Sequence, residues 1–249
     1  MTTPDPAYPG QMGDSLLDRA TRLLFVIPGD PLEGSGEPRR GAPVGREGSG
    51  EPRRGAPLDA GVPASVLLAL APVAGADDLE LILVRRPDHL RQLAGQVGLP
   101  GGAVEPGDAD GIAAALREAH EEVGLDPSRV RVLGSLDRTY LAVSDFDVLP
   151  VVGVWDGLAP LVPNPDEVAG ILRPTLRQLA DPANHGTLPF SAILGEEGLA
   201  ARGIPDLDSP VFWADGVLVW GFTAGLLVGF LDSLGLQAPP LPAYWGVRP

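Results

Sequence analysis

The sequence predicts an α/β fold, and three observations carry that prediction. Residues 110–123 have the apolar spacing of an amphipathic helix. Short apolar runs bounded by turn residues lie on both sides of it, at 65–72 and 79–86 before and at 129–136 and 147–154 after. A nearly all-apolar segment, 217–231, closes the chain; it is shorter than the roughly 20 residues a bilayer crossing needs and reads as a helix buried against a sheet. Strands alternating with helices indicate helices layered on a sheet.

Taken in order, residues 1–12 are Pro-rich and acidic, which suits irregular chain and not a secretory signal. Residues 14–26 have helical spacing, with Asp14 as an N-cap and Pro28 as the stop, and predict a short amphipathic helix docked on the domain. EGSGEPRRGAP at 33–43 recurs unchanged at 47–57, and its Gly, Pro, Ser and charge read as a flexible spacer. The runs at 65–72 and 79–86, with a turn at 74–77, predict a hairpin or neighbouring strands. After the central helix and the strands at 129–136 and 147–154, residues 158–165 read as a turn-rich loop and 166–172 as a short piece holding one helical turn. Residues 174–179 lead into a helix or loop, and 181–210 read as an irregular loop or lid facing the substrate. Residues 211–213 suggest a strand and 216–219 a turn into the last helix. Three units result: an N-terminal helix with linker at 1–62, a globular domain at 63–236 and a Pro-rich tail at 237–249.

Composition narrows the function. The 249 residues, 44% of them hydrophobic, suit one globular domain with appendages. A formal charge of -15 argues against a nucleic-acid backbone as partner. The cationic side chains other than His are all Arg, whose planar fork pairs bidentately with phosphate, although a biased genome explains the same absence of Lys. Without Cys there is no disulfide framework, thiolate metal site or cysteine nucleophile. The expected setting is cytoplasmic and the expected partner a small molecule, with no membrane partner and the oligomeric state left open.

The chemistry concentrates between Gly95 and Leu125. Ile112, Leu116, Ala119 and Val123 share one sector of the helix, and Glu118, Glu121 and Glu122 share roughly the opposite one. Asp108 and Asp110 precede the helix as N-cap candidates, and Gly124 follows it as a C-cap. Three carboxylates on one face repel each other. A solvated acidic face is the plain reading; a site for a hard divalent cation bridging to substrate phosphates is the functional one. Gly101 and Gly102 upstream permit a close approach of chain or ligand. His120, His89 and His185 read as surface residues, and no Ser/His/Asp or Cys/His nucleophilic arrangement is visible.

Gly102 to Leu125 resembles the Nudix box, through the leading Gly102 and the run Arg117-Glu118-Ala119-His120-Glu121-Glu122-Val123-Gly124-Leu125. Asp108 stands where Glu is usual, and the spacer to Arg117 is one residue longer than the general pattern. Upstream, 82–86, Arg91, 95–97 and 99–102 are similar to the motif of the coenzyme A pyrophosphatase branch, with Val84, Pro87, Leu93 and Leu99 as departures. Residues 220–224 resemble the closing helix start of that branch, so the likeness spans roughly 64–236.

The resemblance implies a Nudix-type α/β/α sandwich with a mixed sheet and a loop-helix-loop catalytic box. It implies a metal-dependent pyrophosphatase using Mg2+ or Mn2+, with coenzyme A or an acyl derivative as leading substrate. Another nucleotide (ADP-ribose, NADH, a nucleoside triphosphate) or a non-catalytic nucleotide sensor are the alternatives. Glu118 and Glu122 would hold metal, Glu121 would complete the shell or orient water, and the Gly101 carbonyl would be a further ligand. Arg117 would steady the acids through Asp108 or Glu105, and Glu167 would be a further metal ligand or base, or equally a helix-start acid. Arg85, Arg86 and Arg91 would meet substrate phosphates.

Overall fold

The computed structural model describes residues 15–25, 61–89, 95–141, 144–203 and 205–242. The repeated spacer at 33–43 and 47–57, Arg91, Leu93 and the end of the tail lie outside them. Helix α1 (Leu16–Phe25) forms where the 14–26 spacing predicts it and buries Leu16, Ala20 and Leu24. Its first turn is capped from a distance: Leu16 N–H donates to Asp77 Oδ1 at 2.8 Å.

The central sheet is mixed. Strand β1 (Val62–Pro72) pairs antiparallel with β2 (Leu79–Leu81), as the hairpin reading expects. The run at 79–86 then splits at Ile82, whose N–H bonds Ala69 O, and continues as β3 (Leu83–Arg85) in a second sheet with β4 (Val97–Gly98). Strand β5 (Gly101–Ala103) pairs antiparallel with β1. Helix α2 (Gly111–Val123) follows, then β6 (Arg131–Ser135), β7 (Thr139–Leu141) and β8 (Phe146–Val154). Strand β8 runs parallel to β1 and antiparallel to β6 and β7.

Alternation along the strands builds the two flanking layers. Leu67, Ala69 and Ala71 of β1, with Ile82, Val84 and Val151, face Ala115, Ala119 and Val123 of α2. Leu68 and Leu70, with Leu81, Leu83 and Val152, face the opposite core. There α1 packs beside α5 (Gly221–Ser233), whose Leu227, Phe230 and Leu231 are buried. From Gly221 on, the closing apolar segment is thus a buried helix. Among the described residues, no helix is long and apolar enough to cross a membrane.

Three segments differ from the sequence reading. The 166–172 piece turns at 165–167 and then forms β9 (Gly170–Leu172), which pairs with β3, so extended residues satisfy an open strand edge there. Helix α3 (Leu176–Leu179) follows, opened by a Thr175/Gln178 capping box. The 181–210 region is not an irregular lid: it holds β10 (His185–Pro189), α4 (Phe190–Arg202) and the start of β11 (Asp208–Ala214). Residues 217–219 are not a turn but β12 (Val217–Val219), paired with β11. Gly and Pro suggested loops here, while distant strand partners decided otherwise.

Candidate active site

Helix α2 starts and stops where its caps dictate. Asp110 accepts from Ala113 N–H at 2.8 Å, and Gly124 takes the left-handed conformation with φ 69°. The apolar sector packs on β1, which turns the acidic sector toward Gly101 and Gly102, which are not a turn but the first residues of β5. The three glutamates then separate by depth. Glu122 is only 4% exposed, and its Oε2 accepts from Gly101 N–H at 3.1 Å. Glu118 lies beside Gly102, where an added Cβ would meet its Oε1 at 2.3 Å. Glu121 is half exposed and paired with Arg117 at 2.9 Å.

Arg117 joins turn and helix. Its Nε and Nη2 donate to Asp108 at 3.0 and 3.1 Å, Nη2 also to Ala103 O at 3.0 Å, and Nη1 to Glu118 and Glu121 at 3.0 and 2.9 Å. Asp108, in its turn, accepts from Glu105 N–H at 2.8 Å. Of the two acids expected as the partner of Arg117, Asp108 takes the guanidinium and Glu105 contributes its backbone. The hydrogen bonds that Arg117 donates hold Asp108 below the usual carboxylate range, and the same bonds to Asp108 foremost raise Arg117 further.

Glu167 arrives from another element. The loop after β8 hangs on the C-terminal end of α2, where Val162 N–H donates to Val123 O at 2.9 Å and Asn164 N–H to Glu122 O at 2.8 Å. Asn164 O then accepts from Glu167 N–H at 3.1 Å, and Ala169 N–H reaches Arg85 O at 2.8 Å. The end of β3, this loop and α2 therefore meet, and Glu167 is close enough to act electrostatically on Glu118 and Glu122. The role of Asn164 was missed in the sequence; its only signal was the Asn164-Pro165 pair in the turn-rich stretch after β8.

Burial, first of all, raises the affinity of Glu118 for its proton. The same cause pushes Glu122 up to about 8, against the Gly101 N–H, with Glu118 and Glu167 adding repulsion and Arg86 opposing it. A buried carboxylate with one backbone donor and two like-charged neighbours lacks positive charge. Carboxylate oxygens, with a nearby carbonyl at Gly101, are the donors a hard divalent cation takes, so the residues fit one. Among the described residues, no three His, Asp or Glu side chains are already gathered into a metal cage. Arg85 ends β3 and Arg86 follows it, with its charge felt by Glu122. His89 and His120 are exposed, whereas His185, expected at the surface, is half buried with its ring edge-on to Phe212 at 5.9 Å.

A mixed sheet between helical layers, with the end of β5 and the turn after it locked to an acidic helix by one arginine, defines a sandwich of the Nudix class. The NUDIX domain family model matches residues 66–190. The protein named Uncharacterized Nudix hydrolase NudL from Escherichia coli (strain K12) is 37% identical over 171 residues, covering 68% of this chain and 82% of that one. Its namesake from Yersinia pestis (strain Pestoides F) is 35% identical over 158 residues, covering 64% and 74%. Among solved structures, the Nudix hydrolase RenU from M. smegmatis is 26% identical with a TM-score of 0.41, covering 48% of this chain and 74% of that one. The chain belongs to the Nudix hydrolase family.

Proposed function

We propose that the chain hydrolyses the pyrophosphate bond of a nucleoside diphosphate derivative, with coenzyme A or an acyl-CoA as substrate and 3',5'-ADP and a phosphopantetheine as products. The observation that carries this reading is the buried Glu122 against Gly101 of β5, with Glu118 and Glu167 close by. The coenzyme A assignment is supported by the likeness of 82–102 and 220–224 to that branch, and it is the finer part of the proposal.

Glu118 and Glu122, with the Gly101 carbonyl, would hold Mg2+ or Mn2+. Such a cation neutralises phosphate charge and lowers the pKa of an attacking water. Arg117 positions the acids: it pins the 103–108 turn to the helix and orients Glu118 and Glu121. Glu121, half exposed, borders the open side, where it completes the shell or orients water. Glu167 comes from a separate loop and serves as a further cation ligand or as the base that accepts the water proton. Arg85 and Arg86, at and just after the end of β3, supply cationic charge for the phosphates, and Arg91, expected to join them, lies outside the described residues. Phosphoryl transfer needs mainly positioning and charge stabilisation, which this set provides.

The test is hydrolysis of coenzyme A, acetyl-CoA, ADP-ribose, NADH and nucleoside triphosphates with Mg2+ or Mn2+, the products identified by mass. Release of 3',5'-ADP from coenzyme A, abolished by chelator, is the expected result. Preference for another compound would keep the pyrophosphatase and discard the coenzyme A assignment. Silence across the panel with tight binding of one compound would make the chain a sensor.

A further inference from the structure

The small sheet of β10, β11 and β12 has two unlike faces. Alternation sends Phe212 and Ala214 of β11 and Val219 of β12 into the main core. Trp213 and its ladder partner Leu218 therefore point the other way. Trp213 is 38% exposed, and its ring lies near Gly186 of β10, where an added Cβ would come within 3.9 Å of Cζ3. Trp220, just past β12, takes Phe190 edge-on with ring centres 6.1 Å apart. Phe190 begins α4, and none of the 13 residues of that helix is buried, although Ile193, Leu194 and Leu199 are apolar. An apolar helix that starts beside an apolar sheet face without burying a residue leaves part of both uncovered.

The same face carries no charge: it presents Ser209, Val211 and Trp213 of β11 and Leu218 of β12. The Ser209 hydroxyl is already engaged, donating to Pro210 O at 3.0 Å and accepting from Gly221 N–H at 3.3 Å. Indole rings offer apolar area with an N–H donor each, which serves an uncharged chain containing amide groups. A nucleobase edge needs acceptors as well.

Position ties this face to the carboxylates. Strand β12 lies beside β4, and Val97 of β4 enters the same core as Val219. Gly98 then faces as Leu218 does, and its partner Val84 packs on the side of α2. From Gly101 back to Gly98 the extended chain covers about 10 Å, and each further strand adds about 4.8 Å. Trp213, two strands beyond β4, is too far for a base joined directly to the reacting diphosphate and within reach of a flexible chain joined to it.

We infer that Phe190, Trp213, Leu218 and Trp220 form the subsite for an uncharged, chain-like arm carried on the diphosphate. This contact selects coenzyme A derivatives over plain nucleotides. The inference rests on the proposed function, because it takes Glu118 and Glu122 to serve the diphosphate end of that substrate.

Calorimetric titration of the full chain in chelator tests it, with acetyl-CoA and with ADP, which keeps the adenosine diphosphate and lacks the arm. Wild type should favour acetyl-CoA, and Trp213→Ala should cut that preference about tenfold, the scale of a lost aromatic contact. Trp213→Leu keeps apolar area without the ring and should fall between. Melting curves establish that each variant folds. Where Trp213→Ala does not, Trp213→Leu carries the test: a reduced preference supports the inference and a wild-type preference overturns it. A wild type that does not favour acetyl-CoA over ADP also overturns it. So does an unchanged preference in folded Trp213→Ala, including equal weakening of both ligands, which would make the face a nucleobase site. Preference lost in Trp213→Ala, in a chain that hydrolyses no panel compound, keeps the subsite and discards the reaction. Coenzyme A hydrolysis with KM unchanged in Trp213→Ala keeps the reaction and discards the subsite.

Discussion

Gly102 and Glu118 occupy each other's space: an added Cβ at 102 would fall 2.3 Å from Glu118 Oε1 and 2.6 Å from its Cδ. The obstructed atoms are the far end of a flexible side chain. Gly102→Ala should therefore leave the fold standing and push the Glu118 carboxylate aside. Displacement near 1 Å at a catalytic centre costs on the order of 10²-fold in rate. The expected variant melts within a few degrees of wild type and turns over roughly 10²-fold more slowly. Wild-type turnover would remove Glu118 from the cation site.

Gly101 makes the contrasting case. A Cβ there would meet Ser65 O at 2.3 Å and Val66 Cα at 2.7 Å, both backbone atoms of the central strand. Neither can rotate away, so β5 must move off β1 and loosen its pairing. Gly101→Ala should destabilise by about 1–3 kcal/mol, the range for overpacking. Urea titration followed by far-UV circular dichroism checks this, and an unchanged midpoint would contradict the close approach.

These two glycines show what local sequence conveys. Asp110 and Gly124 set the limits of α2 through hydrogen bonds within a few residues, so the helix and its acidic face were readable directly. The hairpin was readable for the same reason. Strands β9, β10 and β12 were not, because Gly170–Leu172 needs β3, about 85 residues earlier, as its partner, and β10 and β12 need β11. The depth of each glutamate was equally hidden. Glu118, Glu121 and Glu122 share a face by spacing, yet only Glu122 meets the Gly101 N–H and becomes buried. The neighbourhood of Glu167 depends on an Asn164 contact to the Glu122 carbonyl that no spacing rule supplies.

Arg117 contacts Asp108, Ala103, Glu118 and Glu121 through three nitrogens at once. A lysine carries the charge on one atom and reproduces only part of this. Arg117→Lys should release the 103–108 turn, lower the melting temperature by about 2–4 °C per kcal/mol lost in a chain of this size, and reduce turnover more than it raises KM. Equal activity and melting temperature would show that the fork is dispensable.

Glu167 adds negative charge near Glu118 and Glu122 from a loop that the helix itself positions. Glu167→Gln keeps the shape and removes the charge. If Glu167 is the base, kcat falls by about 10²-fold or more with KM little changed. Steady-state kinetics on the best panel substrate decide this. Unchanged kcat would leave Glu167 as a loop-start acid only.

Glu122 gives the pH dependence. Its proton affinity in the cation-free chain is pushed up to about 8 from the ordinary 4.5, so between those values folding takes up a proton. Stability conferred by the neutral form is then complete at the acid end and declines as pH rises through that window. Glu122→Gln mimics the neutral form throughout. In chelator, it should melt like wild type near about pH 5 and several degrees higher near about pH 9, where wild type carries a buried charge. A cation must displace the same proton, so the melting shift that Mg2+ or Mn2+ gives wild type should grow from about pH 6 to about pH 8.5 and be absent in Glu122→Gln. Thermal melts across that range, with and without metal, provide the check. A flat wild-type profile with a metal shift retained in Glu122→Gln would place the cation elsewhere.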